Sequence, residues 1–393
     1  MMLQTKFSIL REENFLSDKF INYIISLFIM SSKNIIDPWG SKEIKINERL
    51  IKEFGLKKFK ESEILCKHYL FTRKIIVAHR GFDVIKDAMD NNKQFIQITG
   101  IASSGPLHLG HKVSIDAYLL FKSLGAKSFF VVSDIDAYVS RPDSKVPSLE
   151  IAKEYAVNII AHLLAFGIPK EEIYLQSKKE QRYYEFAFEI SKKITENTFR
   201  AIYGHINPGK ICANLLQYAD ILHLQLKEYF GPTPTITGIG IEQDPHARAC
   251  RDLARRLPYN LKLPSFFYFL HQSGLQKGSK MSASIPDTAI FLDDPPEEIK
   301  RKINKAFSGG RDSLELHRKL GGIPENDKAY EILLYHYPDD EFVKNIYDKY
   351  KSGELLSGEL KEICIDFLTT FLKKHQEKVE KNTSIAEEMV FGK

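Results

Sequence analysis

Cysteine is scarce in this chain. Its four residues, Cys66, Cys212, Cys250 and Cys364, are widely spread with no C-x-x-C spacing, so neither a zinc knuckle nor a disulfide framework is expected. That usage fits a reducing compartment. Long hydrophobic runs are missing as well. The stretch from Phe20 to Met30 is apolar but too short to span a bilayer, and no small-residue cleavage site follows it, so neither a signal nor an anchor is expected. Charge of one sign is not in great excess: 56 Lys and Arg face 51 Asp and Glu, a mild net +5. There is no internal repeat and no low-complexity tract.

With 393 residues and 43% apolar content, the chain can bury a full core, and the length suggests two or three domains. Basic residues gather between Lys300 and Lys319, which suits a polyanion and suits a solvated helix face equally well. Tyr69 to Gly81 reads as a hairpin carrying cations. Apolar runs of strand length then alternate with helical stretches: Phe95 to Thr99, Phe129 to Ser133, Tyr174 to Gln176, Thr235 to Ile241 and Phe266 to Leu270. This is the pattern of an α/β fold with a parallel sheet wrapped by helices. Three long helical patterns between Ser148 and Tyr229 interrupt it, as an insertion would. After Leu292 the strands cease, and helices are expected at Pro295 to Lys305, Lys328 to Tyr335, Asp340 to Lys351 and Ser357 to Lys378, the last with Ser357 as its N-cap.

Two short motifs carry the chemistry. His108-Leu109-Gly110-His111 follows the strand ending at Gly100 and opens a helix with Val113, Ala117, Leu120, Phe121 and Leu124 on one stripe. A helix N-terminus offers unpaired N–H groups and a positive dipole end, and Gly100 and Gly110 leave room for a nucleotide. Lys280-Met281-Ser282-Ala283-Ser284 lies in a loop after Gly274 and Gly278, where a mobile Lys280 brings a compact cation and Ser282 and Ser284 bring hydroxyls. His108, His111 and Lys280 together make a clamp for the triphosphate of ATP.

With both motifs in order, the chain resembles the class I aminoacyl-tRNA synthetases, whose signatures are HIGH and KMSKS. Ala283 departs from the second lysine of KMSKS. The resemblance sharpens to the archaeal and eukaryotic type of the tryptophan-specific group over roughly Asp37 to Gln376. It rests on Asp37-Pro38-Trp39, His79-Arg80, Gln243-Asp244-Pro245, the Lys280 loop, Ala306 to Asp312, His317-Arg318 and Gly321-Gly322. It implies a Rossmann-like catalytic domain over 91–292 with a helical insertion at about 141–230, a preceding segment over 37–90, and an all-α anticodon-binding domain over 293–393. Residues 1–36 are then a poorly ordered extension, and Met30 stands as a candidate start.

What the resemblance further implies is a cytoplasmic homodimer, joined through the inserted helices, that takes L-tryptophan, ATP with Mg²⁺ and the tryptophan tRNA. No resident metal is implied. Arg311 and Asp312 match the anticodon-reading pair, although Arg311 also reads as a plain residue after a glycine turn. Gln217 and Gln243 match the glutamines that hold the amino acid, and Asp136 falls where an acidic residue is expected. Ile98 and Val131 replace the tyrosine and glutamine that read the indole N–H. Asp220, one helical turn from Gln217, is the candidate acceptor in their place. It equally resembles the tyrosine-binding aspartate of the tyrosine-specific group, or a surface residue capping a helix turn. The alternatives are therefore tyrosine as substrate, a small-molecule adenylyltransferase, or a module that kept the fold without the activity.

Overall fold

The computed structural model describes residues 48–60, 67–204 and 207–392. The expectations for residues 1–36, Met30, Asp37-Pro38-Trp39 and Cys66 lie outside the described residues. Helix α1 (Glu48–Glu53), strand β1 (Lys57–Lys58), α2 (Tyr69–Thr72), β2 (Ile76–Arg80) and α3 (Phe82–Asp90) come first. The parallel unit β3 (Ile96–Ala102), α4 (Leu109–Ser123) and β4 (Lys127–Ser133) follows. Next come α5 (Asp134–Ser140), α6 (Leu149–Ala165), β5 (Ile173–Leu175), α7 (Gln181–Ser191), α8 (Glu196–Tyr203) and α9 (Pro208–Leu222). Then β6 (Thr235–Gly240), α10 (Asp244–Arg256) and β7 (Ser265–Phe269) complete the sheet. The C-terminal region is helical: α11 (Pro296–Lys305), α12 (Leu314–Leu320), α13 (Lys328–His336), α14 (Asp340–Ser352) and α15 (Ser357–Phe391).

Among the described residues the strands form one seven-stranded sheet in the order β1-β2-β7-β6-β3-β4-β5. Strands β7 to β5 in that order run parallel, and β2 and β1 add antiparallel strands at one edge. The apolar run at β3 has no alternation because a parallel strand is covered on both faces. Strand β7 shows the same thing directly: Phe266 and Tyr268 enter a core with Tyr183 of α7 and Leu222 of α9. Phe267 and Phe269 enter another, with Phe82 of α3 and Val113, Ala117 and Phe121 of α4. A third core packs Phe130 and Val132 of β4 with Ile159 and Leu163 of α6 and Leu368 and Leu372 of α15. Helices thus cover both faces of the sheet.

Chain order sets where a crevice opens. From β3 the chain moves to β4 and β5 on one side, and later to β6 and β7 on the other. Strands β3 and β6 pair only at Ile96–Thr235 and Gln97–Ile236, although β3 runs on to Ala102 and β6 to Gly240. Past that pairing their carboxyl ends separate, which is the switch point where open parallel sheets bind ligands.

Several expectations need correction. Tyr69 to Gly81 is not a hairpin: it is a single turn of helix, a left-handed reversal at Lys74 (φ 55) and one strand, β2. The cation expected there is used structurally, since Arg73 Nη1 donates to the carbonyls of Leu334 at 2.8 Å and Tyr337 at 2.7 Å. The strand expected at Tyr174 to Gln176 is present as β5, which joins the sheet beside β4. Helix α12 was not foreseen, and α15 runs to Phe391 rather than Lys378 because Ala386 and Val390 continue the buried face. Ser357 does not cap α15; its hydroxyl meets Tyr350 at 2.8 Å, and Glu359 accepts from the Leu356 amide at 2.7 Å.

The start of α10 is tied to the far edge of the sheet. Asp244, fully buried, accepts from Arg80 of β2 at 2.8 Å and from the Tyr268 hydroxyl of β7 at 2.6 Å. Removing one partner of a buried pair leaves the other charge uncompensated. Asp244→Ala is therefore expected to lower the unfolding free energy by about 3–5 kcal/mol in a urea titration. A loss below about 1 kcal/mol, the range of an exposed pair, would refute this anchoring role.

Candidate active site

A cleft of about 460 Å³ lies at the separated ends of β3 and β6. Thr99 to Ala102 line it from β3 and Gly238 to Gly240 from β6. The start of α4 contributes His108, Gly110 and His111, and the loop after β7 contributes Lys280 and Met281. Gln217 of α9 and Gln243 before α10 complete the set foreseen from sequence. Residues far apart in the chain are thereby brought to one cavity.

Backbone pairing joins the start of HLGH to the segment that follows the Lys280 loop in a short seam. The Leu109 amide donates to the Ile290 carbonyl at 3.0 Å, and the Leu292 amide donates to Leu107 at 2.9 Å, forming a bridge at His108 and Phe291. Upstream, Gly274 N–H donates to Ser279 at 2.7 Å and Ser273 bridges Lys280, so the lysine sits at the foot of a short turned loop. Met281, 8% exposed, buries its side chain in the main core. Lys280 is thus flanked by a backbone bridge on one side and a buried Met281 on the other. A Cβ added at Gly105 would lie 3.5 Å from that of Ala283, so the departure from KMSKS abuts the loop preceding HLGH.

The imidazoles are neutral at pH 7. Burial, then the neighbouring His111, holds His108 well below its ordinary value, and burial, then His271, brings His111 to about 4. Their rings stack at 3.9 Å. Because the His108 amide donates to His111 Nδ1 at 3.2 Å, the proton of neutral His111 belongs on Nε2, as a donor. Both glycines line the cleft and also meet close neighbours within the protein. A Cβ at Gly100 would fall 2.3 Å from Val131 Cγ1, so the neighbouring strand also requires a glycine there. At Gly110 a Cβ would sit 3.0 Å from the His108 ring, so that glycine admits the imidazole.

The structure does not bring every expected residue to the cleft. Ser282 and Ser284 bond one another at the loop surface, the Ser284 amide donating at 3.3 Å. Ile98 is buried with Ile96 and Leu224. Asp136 accepts from Ser140 at 2.9 Å, and its amide donates to Gln176 at 3.0 Å. Asp220 is buried, which rules out the surface-cap reading. Tyr183 at 2.7 Å, Gln176 at 2.8 Å and Tyr174 at 2.9 Å all donate to it. With three donors on its two oxygens, it orders those side chains and does not line the cleft. Arg311 and Asp312 lie on the loop before α12, away from the cleft lining, and Arg311 Nε donates to Gly321 at 2.8 Å.

Reading the sequence missed Arg141, Glu242 and His271, all of which line the cleft. His271 Nε2 and Glu242 Oε1 are 2.6 Å apart. Hydrogen bonding and charge from His271, followed by the charge of Lys280, outweigh burial and hold the Glu242 carboxyl below its usual range. Their position was a usable signal, since both follow the carboxyl ends of parallel strands, where ligands bind.

Comparison with known proteins follows the same lines. The family profile described as tRNA synthetases class I (W and Y) matches residues 90–373. The chain is 39% identical over 366 residues to the tryptophan–tRNA ligase of Aeropyrum pernix, covering 90% of this chain and 97% of that one. It is 34% identical to the cytoplasmic tryptophan–tRNA ligase of Saccharomyces cerevisiae, covering 87% and 83%. The crystal structure of the Aeropyrum pernix synthetase superposes with a TM-score of 0.82, covering 90% and 98%. That of the Plasmodium falciparum tryptophanyl-tRNA synthetase gives 0.79 at 32% identity, covering 88% and 97%.

Asp220 gives a pH test of its own. Burial pushes its carboxyl up to about 7, against the lowering by hydrogen bonds from Tyr183, Gln176 and Tyr174. Between about pH 4 and pH 7 the native state keeps this proton while the unfolded chain releases it, so stability attributable to Asp220 falls as pH rises. The difference in unfolding free energy, wild type minus Asp220→Asn, is expected to decline across that window by an amount on the order of 2–4 kcal/mol. A flat difference in urea titrations at several pH values would contradict it.

Proposed function

The chain belongs to the class I tRNA synthetases of the tryptophan and tyrosine family, and we propose that the cleft at β3 and β6 is where it activates tryptophan with ATP. It is an aminoacyl-tRNA synthetase, a ligase that joins tryptophan to its tRNA. In the first step a tryptophan carboxylate oxygen bonds to the α-phosphorus of ATP, the bond from that phosphorus to the bridging oxygen breaks, and pyrophosphate leaves. In the second, a ribose hydroxyl of the terminal adenosine of tRNA takes the acyl group and AMP departs. Neither step requires a covalent protein nucleophile, so the protein's task is alignment and neutralisation of charge.

Lys280 and the Nε2–H of His111, with the N–H groups opening α4, face the phosphates. His108 completes that wall. Gln217 and Gln243 hold the amino acid. Mg²⁺ enters on ATP as part of the substrate. Arg311 and Asp312 meet the anticodon, the inserted helices α7 to α9 join two copies in a homodimer, and the protein works in the cytoplasm. No helix among the described residues is long and apolar enough to cross a membrane. The observation that carries this reading is that residues of both signature motifs line one cleft, in a chain similar over most of its length to tryptophan enzymes. A small-molecule adenylyltransferase would have no use for the helices after Pro295.

ATP–pyrophosphate exchange screened over the twenty amino acids, followed by charging of total tRNA, tests the reading. Exchange with tryptophan alone is expected; exchange with tyrosine, or with an acceptor other than tRNA, would overturn it. In the same assay Lys280→Ala is expected to slow tryptophan-dependent exchange roughly 10²–10³-fold and leave tryptophan affinity unchanged. Undiminished exchange would remove Lys280 from the phosphate wall.

A further inference from the structure

The seam is held from behind by a residue that touches neither motif. Gln376 of α15 donates from Nε2 to the carbonyl of Leu292 at 2.9 Å and to that of Asp294 at 3.1 Å. Leu292 is the residue whose amide donates to Leu107, one step before the HLGH motif. The preceding residue of α15 reaches the same segment by a second route. His375 Nε2 lies 2.9 Å from His162 Nδ1, and His162 Nε2 lies 3.0 Å from Asp293 Oδ1, which belongs to the residue between the two carbonyls that Gln376 holds. Asn158 of α6 donates to the other oxygen of Asp293 at 3.2 Å.

We propose that helix α15 positions the nucleotide clamp, with Gln376 as the positioning residue that fixes the 292–294 backbone against the start of HLGH. The inference rests on the reading of the cleft as an ATP site. Both N–H groups of the Gln376 amide are committed to carbonyls of the 292–294 segment. Without them, the chain loses a constraint on the peptide next after the one whose N–H pairs with Leu107. The opposite end of the same element belongs to the helical region that holds Arg311: Tyr350 meets Ser357 at the first turn of α15. A contact made there by RNA therefore has a rigid helix leading to the phosphate wall.

Gln376→Met removes the donors and keeps the length of the side chain; Gln376→Lys returns a donor of similar reach. Amide hydrogen exchange is measured on both full-length variants, with Leu109 and Leu292 reporting on the seam and Phe130 and Val132 on the sheet. Two lost hydrogen bonds are expected to quicken exchange at the seam roughly ten-fold in Gln376→Met and leave the sheet amides unchanged, with recovery in Gln376→Lys. In steady-state exchange of ATP and pyrophosphate, the KM for ATP should rise roughly ten-fold in Gln376→Met while that for tryptophan stays within about two-fold. The proposal is overturned if seam amides keep their wild-type rates, if they quicken only in step with the sheet, or if Gln376→Lys behaves like Gln376→Met. Failure of wild-type enzyme to catalyse exchange would instead remove the ATP reading, and the amide rates would still decide whether Gln376 holds the seam.

Discussion

Leu107 and Leu109 exchange backbone hydrogen bonds with Leu292 and Ile290, and that short antiparallel contact ties the start of HLGH to the chain that follows the Lys280 loop. Strand β3 delivers HLGH to the cleft by ordinary α/β logic, since a parallel strand feeds a helix whose N-terminus points at the crevice. Nothing in that logic delivers Lys280. The lysine arrives because the chain, having left β7, turns back through Gly274 and Ser279 and then lies beside the segment that opens α4. Each bond is worth only about 1 kcal/mol net. The pairing is secured by what surrounds it: Met281, Ile290 and Leu292 are buried in the largest core.

The same core explains why the C-terminal helices bear on the cleft. Helix α15 lies along α6, and Leu368 and Leu372 share a cluster with Phe130 and Val132 of the sheet. Lys112, next after the HLGH motif, is buried and paired with Asp116 at 2.6 Å, and its ammonium lies 5.4 Å from the ring centre of Phe371. A cation over an aromatic face in a dry setting is a favourable contact. The signature helix is therefore packed against the tail of the chain as well as against the sheet.

Much of this was legible in the sequence. The strands β3 to β7 were visible because parallel strands are written as apolar runs, and α4 because its stripe has helical spacing. Helix α12 was invisible for a physical reason: Leu314, Leu316 and Leu320 are exposed and His317 is its one buried residue, so it has no apolar stripe to read. At the site, Gln217 and Gln243 fell beside the motifs, whereas Asp220 did not. Spacing placed Asp220 one turn from Gln217, but spacing cannot show that Tyr174, Gln176 and Tyr183, from β5, the turn after it and α7, converge on the same carboxylate. Nor could spacing show the second constraint on Gly100, whose close neighbour, Val131, lies across a strand pairing. Local chemistry was readable; partners brought in by the fold were not.

A crystal structure with a non-hydrolysable ATP analogue bound tests the central claim most directly. The account predicts one triphosphate contacted from both sides of the seam, by the Nζ of Lys280 and by the imidazole N–H of His111 at the start of α4. A triphosphate bound by only one of the two motifs, with the other turned away from it, would contradict the account.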